Sequence, residues 1–158
     1  MAYAASTTVP VDRTRAEIER TLQRYGAISF AYGYDADRAM IQFSAHGRQV
    51  RFALNLPSPG DRRFTHHARG ARTADAARVQ WEQACRQRWR ALLLCIKAKL
   101  EAIESGISSF EDEFAMWVVL PDGSTVRDHV QPAIAEAYDT GRVPLTLLAL
   151  PAGATVDR

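Results

Sequence analysis

Residues 28–56, ISFAYGYDADRAMIQFSAHGRQVRFALNL, decide the fold. Ile28, Phe30 and Tyr32 alternate with small residues, and Asp35-Ala36-Asp37 supplies a turn. Met40-Ile41-Gln42-Phe43 follows, Ala45-His46-Gly47-Arg48 turns the chain again, and Val50, Phe52 and Leu54 then alternate with Arg51, Ala53 and Asn55. A period of two, broken twice by turn formers, predicts a three-stranded antiparallel meander with one apolar face. Pro57, Pro59 and Gly60 end it.

Such a face needs a cover, and the chain supplies one downstream. Thr73 is placed to cap a helix over 74–106 whose apolar stripe is Trp81, Cys85, Trp89, Leu92, Ile96, Leu100 and Ile103. Those spacings of three and four are helical, and Gly106 closes the run. Between sheet and helix, residues 57–73 (PSPGDRRFTHHARGART) read as a basic loop near the upper length for a structureless connection. Upstream, Asp12 or Thr14 is placed to cap a helix over 14–25, Thr14 having Glu17 at capping-box spacing, with Ile18, Leu22 and Tyr25 on one face. Gly26 stands at its C-terminal end.

The final third is mixed. Ser108 with Glu111, or Ser109 with Asp112, caps a short helix through Phe114. Residues 117–120 read as a strand or as the end of that helix. Pro121-Asp122-Gly123-Ser124 is a turn, and Thr125 caps a helix that Pro132 interrupts near its start and Gly141 ends. The expectation is one α+β domain over 1–158: a flexible arm (1–11), helix plus meander (12–56), basic loop (57–73), long helix packed on the sheet (74–106), a smaller helical C-terminal part (107–141) and a tail (142–158).

Composition agrees with a soluble globular chain. The 158 residues are 47% hydrophobic and 24% charged, enough to bury a core. The longest apolar run, residues 91–96, is about a third of a membrane span. The N-terminus lacks the basic start and apolar stretch of a signal peptide. Cys85 and Cys95 lie about 15 Å apart along one helix, too far to bridge, which suits a reducing cytoplasm.

The net charge of +2 conceals a segregation. Residues 38–99 carry thirteen basic side chains against three acids, whereas residues 100–139 carry nine acids against Arg127 alone. A basic middle attracts polyanions by releasing their counterions. Equally, the acidic third can fold back and neutralise it. The 18 arginines, 2 lysines and 26 alanines also bear the mark of a GC-rich gene. Residues 81–92 are the most distinctive stretch, with two tryptophans on one face bordered by Arg86, Arg88 and Arg90. Tryptophans at helical spacing ordinarily pack in a core with arginine stems over the rim. The functional alternative is a positive groove between helix and sheet. Arg48, Arg51, Arg62, Arg63, Arg69 and Arg72 would line its hairpin and loop side, with Arg86, Arg90 and Lys97 on the helix flank. Phe64 or a nearby tyrosine would stack bases.

Enzymatic signatures are missing. His46, His66, His67 and His129 have no converging ligand spacing for a metal, and no cysteine stands in a turn before a helix where its pKa would fall. GxSxG, GxGxxG and P-loop patterns are absent, so no catalytic residue or cofactor is expected.

Residues 38–54 (RAMIQFSAHGRQVRFAL), 81–107 (WEQACRQRWRALLLCIKAKLEAIESGI) and 118–130 (VVLPDGSTVRDHV) resemble an uncharacterised family of small bacteriophage and prophage proteins. The resemblance implies a phage context and transfers no site residues. A meander followed by a long helix is also similar in outline to Rad52-type single-strand annealing proteins, a likeness of topology carried by no motif. The expected function is therefore non-enzymatic nucleic-acid binding, single-stranded DNA favoured, in recombination or replication within the bacterial cytoplasm. The alternative is a protein-interaction module, an inhibitor or adaptor docking through the acidic third and the apolar tail at 143–150. No membrane partner is expected. The oligomeric state stays open, a ring or filament suiting an annealing protein.

Overall fold

The computed structural model describes residue 4, residues 6–35 and residues 37–144. Helix α1 (Val11–Arg24) begins one turn earlier than Thr14 suggests, with Pro10 in the N-cap position. Thr14 is fully buried instead, and its hydroxyl donates to the Pro10 carbonyl at 3.3 Å. The preceding arm is docked rather than loose where it is described. Ala4 is buried, and Gln83 Nε2 donates to the Thr7 carbonyl at 2.8 Å.

The meander forms as the alternation predicts, with β1 (Ile28–Asp35), β2 (Arg38–Ala45) and β3 (Arg48–Asn55) in the order β1-β2-β3, antiparallel throughout. Ile28 is the exception: the register shifts between it and Phe30, Ser29 has a φ of 52°, and the Ile28 side chain is 69% exposed rather than on the apolar face. His46 and Gly47 form the β2–β3 turn with φ of 51° and 70°. Two left-handed residues in a two-residue hairpin match the twist of the flanking strands, and glycine adopts that conformation without a Cβ penalty. Phe30 and Tyr32, then Ala39, Ile41, Phe43 and Ala45, then Val50 and Phe52 belong to the core side. Each large apolar side chain buried there is worth about 1.5–3 kcal/mol relative to exposure.

The segment 57–73 is not the single structureless loop that its composition suggests. It contains a one-turn helix, α2 (Arg62–Thr65), and a tiny hairpin of β4 (His66–His67) and β5 (Gly70–Ala71). Helix α3 (Ala74–Glu104) follows, capped by the Thr73 hydroxyl, which accepts from Ala76 N. Its 31 residues run about 46 Å. Cys85, Trp89, Ile96 and Leu100 of the expected stripe are buried, but Leu93 rather than Leu92 is fully enclosed. The stripe needed one more neighbour because α3 is covered on two sides, by the sheet and by α1.

Ser109 caps α4 (Phe110–Phe114) with Asp112 in a reciprocal capping box, while Ser108 donates to Glu113 instead. A 3₁₀ turn (Ala115–Trp117) leads into an extended piece. Val118 bridges Val50, Val119 N donates to the Gln49 carbonyl at 2.7 Å, and Val119 bridges Thr125. Residues 117–120 are thus not a strand: Trp117 closes the 3₁₀ turn that follows α4, and Val118 and Val119 make only isolated bridges, which cover part of the outer edge of β3. Phe114 is fully buried and meets Phe43 edge-on at 6.1 Å, closing that end of the core. Helix α5 (Val126–Thr140) is capped by Thr125 with Asp128 and ends at left-handed Gly141. It runs through Pro132, where an N–H to the Asp128 carbonyl is lost, rather than being interrupted there. No helix among the described residues is long and apolar enough to cross a membrane.

Candidate nucleic-acid interface

The ten cationic and aromatic residues that the sequence suggests for one surface separate into five environments. Arg62, Arg63 and Arg69 share the α2–β4–β5 unit and are exposed. Arg72 belongs to the same unit but faces inward as its fastener. One of its guanidinium nitrogens donates to the carbonyls of Arg63 (2.9 Å), Phe64 (3.1 Å) and His66, and its own amide donates to the Thr65 carbonyl at 2.7 Å. A cation serving three carbonyls of a ten-residue turn replaces the core that so short a unit cannot make.

Phe64 is not a stacking platform. It is 6% exposed and turned inward, as α2 packs on α3. Burial of the one apolar side chain on α2 orients its neighbours outward. Arg63 lies over the outer side of the Phe64 ring, 4.5 Å from its centroid, and pairs with Asp61 at 3.3 Å. His66 and His67 join this outward face, forming with Arg62, Arg63, Ala68 and Gly70 the walls of an open cleft. Arg69 N donates to His67 Nδ1 at 2.9 Å, which fixes that nitrogen as an acceptor.

The helix flank is occupied. Arg90 and Lys97 both bind Glu17 of α1, each at 2.6 Å, so the expected groove between helix and sheet is where α1 sits. Glu17 is held below its ordinary value, chiefly by the hydrogen bond from Lys97 and further by that from Arg90. Arg86 donates through Nε and Nη2 to Gln83 Oε1 at 3.0 and 2.7 Å and borders a different cavity. Arg51 donates to the Gly123 carbonyl, bracing the sheet against the C-terminal part. Arg48 is exposed at the far end of β3. Seven residues of strand, about 23 Å, separate it from the end from which the basic unit departs.

The acidic third does not blanket the basic middle. Among the described residues, Glu113 is its one acid in an ion pair with that middle, binding Lys99 at 3.1 Å. The principal neutraliser is Glu17, from outside that third, a long-range pairing for which sequence spacing carries no signal. Within the described residues no group of three His, Cys, Asp or Glu side chains is placed to hold a metal. No protein-family model, no curated protein and no solved structure matches this chain.

Proposed function

We propose that this is a non-enzymatic nucleic-acid-binding protein of phage type, acting on single-stranded DNA in recombination or replication through the unit at 62–71. One observation carries the reading: Arg62, Arg63, Arg69, His66 and His67 are exposed on ten residues of chain, and among the described residues Asp61 is the one acid in an ion pair with them. Three guanidiniums on a short, braced projection offer phosphate contacts that are independent of base identity.

Fluorescence anisotropy with labelled single- and double-stranded oligonucleotides at several salt concentrations tests this. For single strands the slope of log K against log salt is about −0.7 per neutralised phosphate, so removing three contacts should flatten it by about two. Arg62→Ala, Arg63→Ala and Arg69→Ala are combined for this purpose. Arg72 is left alone because it builds the unit. No binding to either form at low salt, or an unchanged slope in the triple variant, overturns the proposal.

A second reading rests on α5. Ile134 and Tyr138, one turn apart, are 42% and 88% exposed beside Glu136 and Asp139. An apolar pair among acids is the kind of face an interaction module docks with. Of the tail expected to take part, residues 145–158 lie outside the described residues. Pull-downs that retain a partner with the wild type and lose it with Ile134→Asp would favour this reading.

A further inference from the structure

Away from the basic unit, α1, β1 and α3 diverge around a cavity of about 410 Å³. Its size falls within the range of small-molecule sites, and its lining is mainly apolar with a few polar groups. Trp81, Trp89 and Tyr32 supply aromatic walls, Cys85 an apolar floor, and Arg15 and Arg86 the cations.

Those walls are held in place before any ligand arrives. Trp81 Nε1 donates to the Pro57 carbonyl at 2.7 Å, fixing the indole. The Tyr32 hydroxyl donates to Glu19 at 3.2 Å, and burial pushes its pKa up to about 12, so the ring stays neutral. Arg15 lies 4.5 Å from the Tyr32 ring centroid and 5.9 Å from that of Trp89. Burial likewise pushes the Cys85 thiol up, leaving it a neutral apolar group.

Charge separates the ligand classes. Asp12 and Glu82 also belong to the lining, in exposed ion pairs with Arg15 at 3.5 Å and with Arg78 at 3.1 Å that contribute little, so two carboxylates and two guanidiniums border the cavity. Arg86 enters no ion pair among the described residues, and two of its three guanidinium nitrogens, Nε and Nη2, meet a neutral amide oxygen. A carboxylate is a better acceptor for that fork than Gln83 is. We propose that this cavity is a binding site for a small planar aromatic carboxylate, its ring against Trp81 and Trp89 and its carboxylate on Arg86. The site does not depend on the nucleic-acid reading, since it shares no residue with the unit at 62–71.

Isothermal titration of the full chain with 2-naphthoate and with its neutral analogue 2-naphthamide tests the assignment, with tryptophan fluorescence as a second readout. The expected result is saturable one-to-one binding of the acid, at least tenfold tighter than the amide, with tryptophan quenching. Arg86→Gln should abolish the tenfold preference, and Arg86→Lys should recover part of it. Arg86 touches only Gln83 among the described hydrogen bonds, so these variants should fold, and circular dichroism checks that they do. Equal affinity for acid and amide, or no saturable binding at millimolar ligand, overturns the proposal. So does acid binding that survives Arg86→Gln and falls in the triple variant at 62, 63 and 69.

Discussion

Glu17→Gln isolates the contact that ties α1 to α3. One carboxylate receives Arg90 and Lys97 at 2.6 Å each, and the three side chains are 29%, 25% and 42% exposed. Hydrogen bonds to charged partners are worth about 1.5–3 kcal/mol when well buried, and exposed ion pairs about 0–1. Partial exposure puts each contact at about 1 kcal/mol, so losing both should cost about 2 kcal/mol. For a chain of this size that lowers Tm by about 4–8 °C. The pH dependence supplies the sign. Glu17 titrates below its ordinary 4.5 in the fold, so its contribution is complete above that value and fades as pH falls through the lowered folded pKa. Urea denaturation at pH 7 and pH 3 measures both. A loss under about 0.5 kcal/mol at pH 7 would refute the reasoning. So would a difference between wild type and variant that is undiminished at pH 3.

Arg72→Met keeps the stem of the fastener and removes its donors. Amide exchange across residues 62–71 should rise at least tenfold, corresponding to about 1.4 kcal/mol of local opening, while β2 and β3 exchange as before. Uniform change across the sheet would show that the contacts of Arg72 are not local in effect. Tyr32, raised from 10.0 to about 12 by burial and then by Glu19, should ionise late in a spectrophotometric titration. Because the folded state keeps that proton longer, stability should fall as pH rises from about 10 toward 12, and Tyr32→Phe should remove that part of the loss.

The local elements were legible because local rules dictate them. Alternation in 28–56, the Thr73 cap and the glycine at 141 each specify structure from a few neighbouring residues. The candidate site is legible only in part, for a physical reason. Arg90, Lys97 and Arg62 look alike in sequence, and only the position of α1, 73 and 80 residues from its partners, separates the paired cations from the free-standing ones. Phe64 misleads similarly. A phenylalanine among arginines and histidines suits base stacking, yet a four-residue helix must anchor to something, and its one apolar side chain does the anchoring. Arg72 carries no signal at all, since a guanidinium bound to three carbonyls is a tertiary arrangement. The cavity is equally hidden, its lining drawn from three elements spread over residues 10–89.

The placement of α3 over the meander also sets an order of events during synthesis. The three strands meet through contacts close in the chain and can associate once residue 55 is free. Their apolar face then has only Ile18 and Leu22 of α1 from upstream to share its core, until Trp89, Leu93 and Ile96 emerge about 40 residues later. At about 5–20 residues per second that interval lasts several seconds, far longer than a hairpin needs to form. The nascent sheet is therefore the stage at which this chain is most open to capture by a chaperone or by a neighbouring nascent copy, and slowing translation through 57–100 should lengthen that exposure.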